Sequence, residues 1–251
     1  MLEVHILASG SDGNCTVIEY DDEAVMIDAG VSCRKITQYM DQEGVDVRKI
    51  KALLLTHEHS DHILGAGAVA RKFDLPVYCN RATFDASNIG CVDYREIRTM
   101  GEFAVGGINI IPLPTSHNAV DPNAFLTEKD GKKALLATDM GKMTFQVEHA
   151  LAQSDIAVIE SNYDRKMLDE GPYPLYLKRI IGSEQGHLSN VECAAAIKRT
   201  MNDKRQIFLA HLSKTNNTPD TAREAVSQIT GIKRMKLDCL EFQGDTRTLK
   251  L

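Results

Sequence analysis

The stretch Thr56-His57-Glu58-His59-Ser60-Asp61-His62 limits what this chain can fold into more than any other. Three imidazoles and an aspartate fall within six residues, directly after the apolar run Ala52-Leu53-Leu54-Leu55. A short apolar run of this kind reads as a buried strand, and the helical pattern from Gly65 to Phe73 then carries the chain away. Imidazole and carboxylate are ligands for borderline and hard divalent metals. His57 and His59 are two apart, so on an extended segment they point the same way. Asp61 and His62 follow where the chain turns and can face a second point. The spacing suggests two metal ions side by side; the alternative is a polar surface loop that happens to be rich in His.

Two metals need more ligands than one loop supplies. Further candidates stand where later apolar strands end: His117 after Ile111-Pro112-Leu113-Pro114, Asp139 after Leu135-Leu136-Ala137-Thr138, and His211 after Ile207-Phe208-Leu209-Ala210. Sites on α/β sheets collect at such strand ends. Any one of these His residues alone would read as a hydrogen-bonded structural His. Their recurrence in one position relative to a strand is what favours a metal site.

The remaining pattern predicts an α/β fold. Strands are expected over Leu2 to Ala8, Cys15 to Tyr20, Ala24 to Asp28, Lys51 to Leu55 and Pro76 to Cys79. Phe103 to Leu113 holds two strand-like pieces around Gly106-Gly107, and Ala124 to Glu128 with Lys133 to Ala137 forms a hairpin turned at Lys129-Asp130-Gly131. After residue 140 strands alternate with helices. Strands read over Asp155 to Ile159 and Gln206 to Ala210, helices over Pro174 to Ile181, Ser189 to Met201 and Pro219 to Thr230, and the tail is extended. An earlier helix runs from Ser32 to about Asp41 and closes near Gly44. Ser189 with Glu192 makes a capping box, and Val191, Ala194, Ala195 and Ile197 give that helix an amphipathic face. Meander strands in both halves, with helices outside, predict one domain over residues 1–251, a four-layer αββα sandwich.

Composition narrows the setting. No apolar run approaches the ~20 residues that span a bilayer, and the N-terminus has no signal-peptide pattern. Six scattered cysteines fit reduced, mostly buried thiols in a cytoplasmic protein. The net charge of −6 is divided unevenly: from Asn162 onward 15 Lys and Arg face 11 Asp and Glu. A mildly basic C-terminal third can steer a phosphate backbone or simply be a solvated surface. Lys178-Arg179 and Lys198-Arg199 carry the same two readings.

His-x-His-x-Asp-His after an apolar strand, with His, Asp and His at later strand ends, resembles the metallo-β-lactamase superfamily over essentially the whole chain. The resemblance implies that His57, His59 and His117 hold one metal, that Asp61, His62 and His211 hold a second, and that Asp139 bridges them. Asp28, ending its own strand, matches the first motif aspartate and orients the metal loop rather than ligating. An aspartate bridge, and Asp61 in the loop, point away from true β-lactamases and toward phosphoesters. The cofactors implied are two divalent metal ions, Zn or Mn.

Leu7-Ala8-Ser9-Gly10-Ser11-Asp12-Gly13-Asn14, Glu160-Ser161-Asn162-Tyr163-Asp164, Gly171-Pro172-Tyr173-Pro174, Gly186-His187-Leu188-Ser189-Asn190 and His211-Leu212-Ser213-Lys214-Thr215-Asn216-Asn217 resemble the YycJ/WalJ-type metallohydrolases. That group is similar to RNase Z and PhnP, and more distantly to the β-CASP nucleases. Tyr163 departs from the His expected in many relatives. The resemblance implies a 5′-to-3′ DNA exonuclease of DNA repair, with nucleic acid, DNA ahead of RNA, as its partner. A metal-activated water attacks phosphorus, Asp61 or Asp139 accepts or steers its proton, and His187 protonates the leaving group; the alternative for His187 is a helix cap. Ser213, Asn216 and Ser116 are candidate phosphate contacts or loop caps, and the Gly10–Asn14 loop is a phosphate nest or a plain turn.

Only 71 residues separate Asp139 from His211, too few for a β-CASP insertion. A long substrate must therefore rest on the C-terminal surface or on a homo-oligomer. The competing functions are a small-molecule hydrolase (a cyclic phosphodiesterase, thioesterase or lactonase) and a non-catalytic metal-binding regulator.

Overall fold

Alternating apolar residues in the first 27 positions build a three-stranded meander, and everything else is laid against it. A computed structural model describes residues 1–242 and 244–251. The chain runs β1 (Leu2–Ala8), β2 (Cys15–Tyr20), β3 (Glu23–Ile27), α1 (Cys33–Glu43), β4 (Ile50–Leu54), α2 (Ser60–Ile63), α3 (Ala66–Phe73), β5 (Val77–Cys79), α4 (Arg81–Ser87), β6 (Tyr94–Glu96), β7 (Phe103–Val105), β8 (Ile108–Pro114), β9 (Asn123–Lys129), β10 (Lys132–Ala137), α5 (Phe145–Gln153), β11 (Ile156–Glu160), α6 (Arg165–Glu170), α7 (Leu175–Ile181), α8 (Asn190–Arg199), β12 (Gln206–Ala210), α9 (Pro219–Thr230), β13 (Leu237–Asp238) and β14 (Arg247–Lys250).

The strands form two sheets, ordered β14-β1-β2-β3-β4-β5-β6 and β13-β12-β11-β10-β9-β8-β7. Each sheet pairs its antiparallel meander with parallel strands: β3 to β6 in the first, β10 to β13 in the second. The inner faces meet in one apolar layer that includes Ile6, Ile18, Ile27, Leu54, Phe125, Leu136, Val158 and Phe208. The outer face of the first sheet is covered by α1 and α3 through Ile36, Met40, Val69 and Ala70. That of the second is covered by α5, α8 and α9 through Val147, Leu151, Cys193, Ile197, Ala222 and Val226. The αββα sandwich expected from the sequence is therefore the observed one. No helix among the described residues is long and apolar enough to cross a membrane.

Local signals explain most boundaries. The β9–β10 turn places Asp130 and Gly131 at φ 54° and 75°, the two positive φ values that a two-residue type I′ hairpin requires. Both halves of the Ser189–Glu192 capping box form. The expected face of α8 needs correction: Val191 is 54% exposed, while Asn190, Cys193, Ala194 and Ile197 turn inward. Residues 190, 193, 194 and 197 keep the i, i+3, i+4 spacing, and Val191 lies off that stripe. Four further helices, α2, α4, α5 and α6, have no counterpart in the sequence reading, although Asn80, Thr144 and Asp164 cap the last three. All four are short, from four to nine residues.

The C-terminal ends of β3, β4, β8, β10, β11 and β12 share one edge of the sandwich, joined there by the β1–β2 loop. That loop is zipped to the His57–His62 segment. Asn14 N donates to the Asp61 carbonyl at 2.8 Å, and Gly30 N donates to the Asn14 carbonyl at 2.8 Å. A Cβ on Gly30 would lie 1.6 Å from the Asp61 carbonyl oxygen and 2.6 Å from Asn14 N. Gly30→Ala must push the two loops apart, at about 1–3 kcal/mol for overpacking. The thermal unfolding midpoint should fall by several degrees and bound metal should decrease; an unchanged midpoint in calorimetry would mean that the contact yields freely.

Candidate metal centre

Every candidate ligand sits just beyond the end of a strand or on the one turn of α2. His57 follows β4, His117 follows β8, Asp139 follows β10 and His211 follows β12. Asp28, Asp139 and His211 adopt left-handed backbone, with φ of 60°, 58° and 56°. Non-glycine residues hold this conformation at a cost, only where the surroundings fix it, and such positions cluster at functional sites. The strained turns aim side chains from different strands at one point.

The sequence-derived candidates converge. His57, His59 and His117 form one ligand group, Asp61, His62 and His211 a second, and His57, His62 and Asp139 a third; within each group the ligand atoms lie within 4.8 Å of one another. Asp139 spans the cluster. Its Oδ2 lies 3.0 Å from His62 Nε2, and its Oδ1 lies 3.6 Å from His117 Nε2 and 3.7 Å from His211 Nε2.

Hydrogen bonds on the far side of the rings settle which nitrogen faces the centre. Asp28 receives His62 Nδ1 at 2.7 Å on Oδ2, which also accepts Thr56 Oγ1 at 2.8 Å, while Oδ1 accepts Thr56 N at 2.8 Å. With its proton committed to Asp28, Thr56 Oγ1 accepts from His57 Nδ1 at 2.9 Å. His117 Nδ1 donates to the Gly186 carbonyl at 2.9 Å, and His211 Nδ1 lies 3.2 Å from Glu160 Oε1. Each ring is left with Nε2 toward the centre. His57 Nε2 and His211 Nε2 are buried and have no hydrogen-bond partner among the described residues. Buried polar atoms are rarely left so, and a metal ion satisfies both. The residues present therefore fit divalent metal, with the outer partners that metal-bound imidazoles require.

Glu160 is the important residue that the sequence reading did not assign. It is fully buried. Its Oε1 accepts His187 Nδ1 at 2.8 Å and its Oε2 accepts Met140 N at 2.6 Å. A signal existed: β11 is the apolar run Ile156-Ala157-Val158-Ile159 ending in a charge, the same pattern that marks Asp139. His187 itself lies beside the ligands, 3.6 Å from Asp139 through Nδ1.

The cleft over the ligands is lined by Ser11, His59, Asp61, Asn118, His187, Leu177, Ile180 and Ile181, among others. None of the three expected substrate contacts faces it. Ser116 Oγ donates to the Glu184 carbonyl at 2.6 Å, Ser213 Oγ accepts Asn216 N at 3.2 Å, and Asn216 is fully buried. Backbone groups take the two serine hydroxyls, and Asn216 Nδ2 donates to Ser213 Oγ at 3.4 Å. From the Gly10–Asn14 loop, Ser11 reaches the cleft, while Asn14 Oδ1 closes the turn on Gly10 N at 2.9 Å.

Electrostatics inside the cluster are tightly balanced. Burial, reinforced by His62, holds the His57 ring well below its usual pKa and keeps it neutral. Burial acts the same way on His62 and His211, but Asp139 and Asp28 raise His62 well above its usual value, and Asp139, Asp61 and Glu160 raise His211 to about 10. Asp139 stays ionised despite burial because His211 and His62 hold its pKa well down. In the metal-free protein near pH 8, His211 therefore carries a proton that metal must displace, and His62 is shifted in the same direction, whereas His57 carries none. Calorimetry in buffers of different ionisation enthalpy should show release of at least about one proton per chain at pH 8, with the His211 share vanishing as pH rises past about 10. Release near zero at pH 8 would contradict this charge arrangement.

A family model described as the metallo-beta-lactamase superfamily matches residues 8–138, more than half of the chain. A Bacillus anthracis protein named Exodeoxyribonuclease YycJ is 36% identical over 234 residues, covering 91% of this chain and 89% of its own. Streptococcus pneumoniae Exodeoxyribonuclease WalJ is 38% identical over 225 residues, covering 86% and 84%. Among solved structures, the metallo-beta-lactamase fold protein YhfI from Bacillus subtilis aligns with a TM-score of 0.74 at 15% identity, over 98% of this chain and 99% of that one, a likeness of fold. The chain thus belongs to the metallo-β-lactamase superfamily, in its YycJ/WalJ-type branch, and is a metal-dependent hydrolase.

Proposed function

We propose that this chain is a dinuclear phosphodiesterase, a 5′-to-3′ DNA exonuclease acting in cytoplasmic DNA repair or metabolism. The observation that carries the reading is the similarity, along nearly the full length of both chains, to two proteins named exodeoxyribonucleases. The site geometry supports it. His57, His59 and His117 would hold one ion, Asp61, His62 and His211 the other, with Asp139 between them. Two divalent ions, Zn or Mn, would supply Lewis acidity there and would lower the pKa of a water in the cleft.

The chain's own groups do the rest. His211 and His62 hold the Asp61 carboxyl below the usual range although burial opposes it, so Asp61 is a charged acceptor at the cleft wall that steers the attacking water. His187 lines the same cleft and is fixed by Glu160 through Nδ1. Nε2 is left to hand a proton to the departing 3′ oxygen. The proposed reaction engages only the phosphodiester, so selectivity for nucleic acid is to be sought on the surfaces around the cleft.

The test is turnover of 5′-labelled single-stranded and duplex DNA, bis-p-nitrophenyl phosphate and a thioester, with Zn²⁺ or Mn²⁺, beside Asp61→Ala and His62→Ala. Loss of label from the 5′ end, abolished in both variants, is expected. Turnover of the thioester alone would overturn the nuclease reading in favour of a small-molecule hydrolase, and no turnover of any substrate at full metal occupancy would favour a regulator. His187→Ala should lower kcat by on the order of 10²-fold or more while metal content stays at the wild-type value. An unchanged kcat would remove His187 from the chemistry.

A further inference from the structure

Helix α7 is built unlike the other helices. Every other α-helix among the described residues buries at least one side chain; α7 buries none. Its sequence, Leu-Tyr-Leu-Lys-Arg-Ile-Ile, is nevertheless mostly apolar. Leu175 is 64% exposed, Tyr176 67% and Ile180 46%. An isolated seven-residue helix is not stable in water, and a helix normally persists by packing an apolar face. This one is held by its ends instead.

Both anchors lead to the metal centre. At the N-terminal side Tyr173 Oη donates to Thr215 Oγ1 at 3.1 Å, in the loop that follows His211. At the C-terminal side His187 N donates to the Ile181 carbonyl at 2.9 Å. Gly186, whose carbonyl holds His117 Nδ1, lies so close that a Cβ there would be 2.2 Å from the Ile180 and Ile181 carbonyl oxygens. The helix is thus suspended at the cleft mouth with its register fixed to His117, His187 and His211. Leu177, Ile180 and Ile181 line the cleft. Tyr176, Arg179 and Ile180, at i, i+3 and i+4, form the adjoining outward face. Arg179 is exposed and has no acidic partner among the described residues, while Lys178 Nζ is turned back onto the Asp169 carbonyl at 2.7 Å.

We infer that α7 is a docking platform for the single-stranded end of the nucleic-acid substrate, with Tyr176 stacking on a base and Arg179 meeting a backbone phosphate beside the cleft. An exposed aromatic next to an aliphatic side chain and an uncommitted guanidinium is what sequence-tolerant single-strand binding uses, since every base offers a flat face and every linkage a charge. Charge complementarity and continuity with the phosphodiesterase cleft argue for this occupant. The inference rests on the proposed nuclease reading and adds what that reading lacks, a surface that distinguishes a strand from a small ester.

Tyr176→Ala and Arg179→Ala replace exposed side chains and should fold normally. Each should raise KM for single-stranded DNA by about tenfold with kcat preserved, and each should weaken binding of a fluorescent oligonucleotide in parallel. Tyr176→Phe should restore both, and hydrolysis of bis-p-nitrophenyl phosphate should be unchanged throughout. An unmoved KM for DNA overturns the inference, as does equal loss on both substrates, which marks a structural role. So does a dimer that Tyr176→Ala dissociates without any change in DNA binding, which gives the face to a second copy. If the wild-type protein binds the oligonucleotide through Tyr176 but never cleaves it, the nuclease reading falls and the platform stands; neither binding nor cleavage overturns both.

Discussion

Two buried carboxylates decide the rest of the site. Asp28, at the end of β3, and Glu160, at the end of β11, are not aimed at the centre of the cluster. Each binds the outer nitrogen of an imidazole, Asp28 that of His62 and Glu160 those of His187 and His211. A neutral imidazole has one donor and one acceptor nitrogen, so fixing the outer nitrogen as donor presents the inner one as a ligand. Thr56 extends the control by relaying Asp28 to His57. One carboxylate belongs to each sheet, and each fixes imidazoles at the common edge of the sandwich.

The architecture explains why the ligands can come from so many parts of the chain. Each sheet changes from antiparallel to parallel part-way across, and the parallel strands end at the same edge. Loops at that edge are free to turn sharply. The left-handed conformations of Asp28, Asp139 and His211 place this strain where side chains must be aimed. The close approach of Gly30 to the Asp61 carbonyl locks the first loop of the chain onto the His57–His62 segment. The cleft is consequently assembled from several strand ends, and α7 joins them held by its termini rather than by a packed face.

Much of this was legible in the sequence because the same device repeats: an apolar strand followed by a ligand type. His57, His117, Asp139 and His211 were readable that way, as was the αββα layering from the order of the elements. Glu160 followed the same device, but its strand was read as ending at Ile159 and the glutamate received no role. Ser116, Ser213 and Asn216 stand differently. A hydroxyl or amide near a site reads as a substrate contact in one dimension, whereas in three the two hydroxyls meet backbone groups, Asn216 turns to Ser213, and none of the three lines the cleft. The outward Val191 shows the same limit, since apolar character marked α8 but only spacing identified the buried stripe. Nothing in the pattern of α7 shows that it is held by its ends: one anchor, Thr215, is distant in sequence, and the other, the return of Gly186-His187 onto the Ile180 and Ile181 carbonyls, is a backbone contact that apolar patterning does not register.

The central proposal is that the converging nitrogens and carboxylates would hold two ions with Asp139 between them. Crystals grown with Mn²⁺ or Zn²⁺ and measured at the metal absorption edge test it most directly. Two anomalous peaks about 3.5–4 Å apart are expected, one bounded by His57, His59 and His117, the other by Asp61, His62 and His211, with Asp139 touching both. A single peak, or a peak outside these residues, would contradict the account.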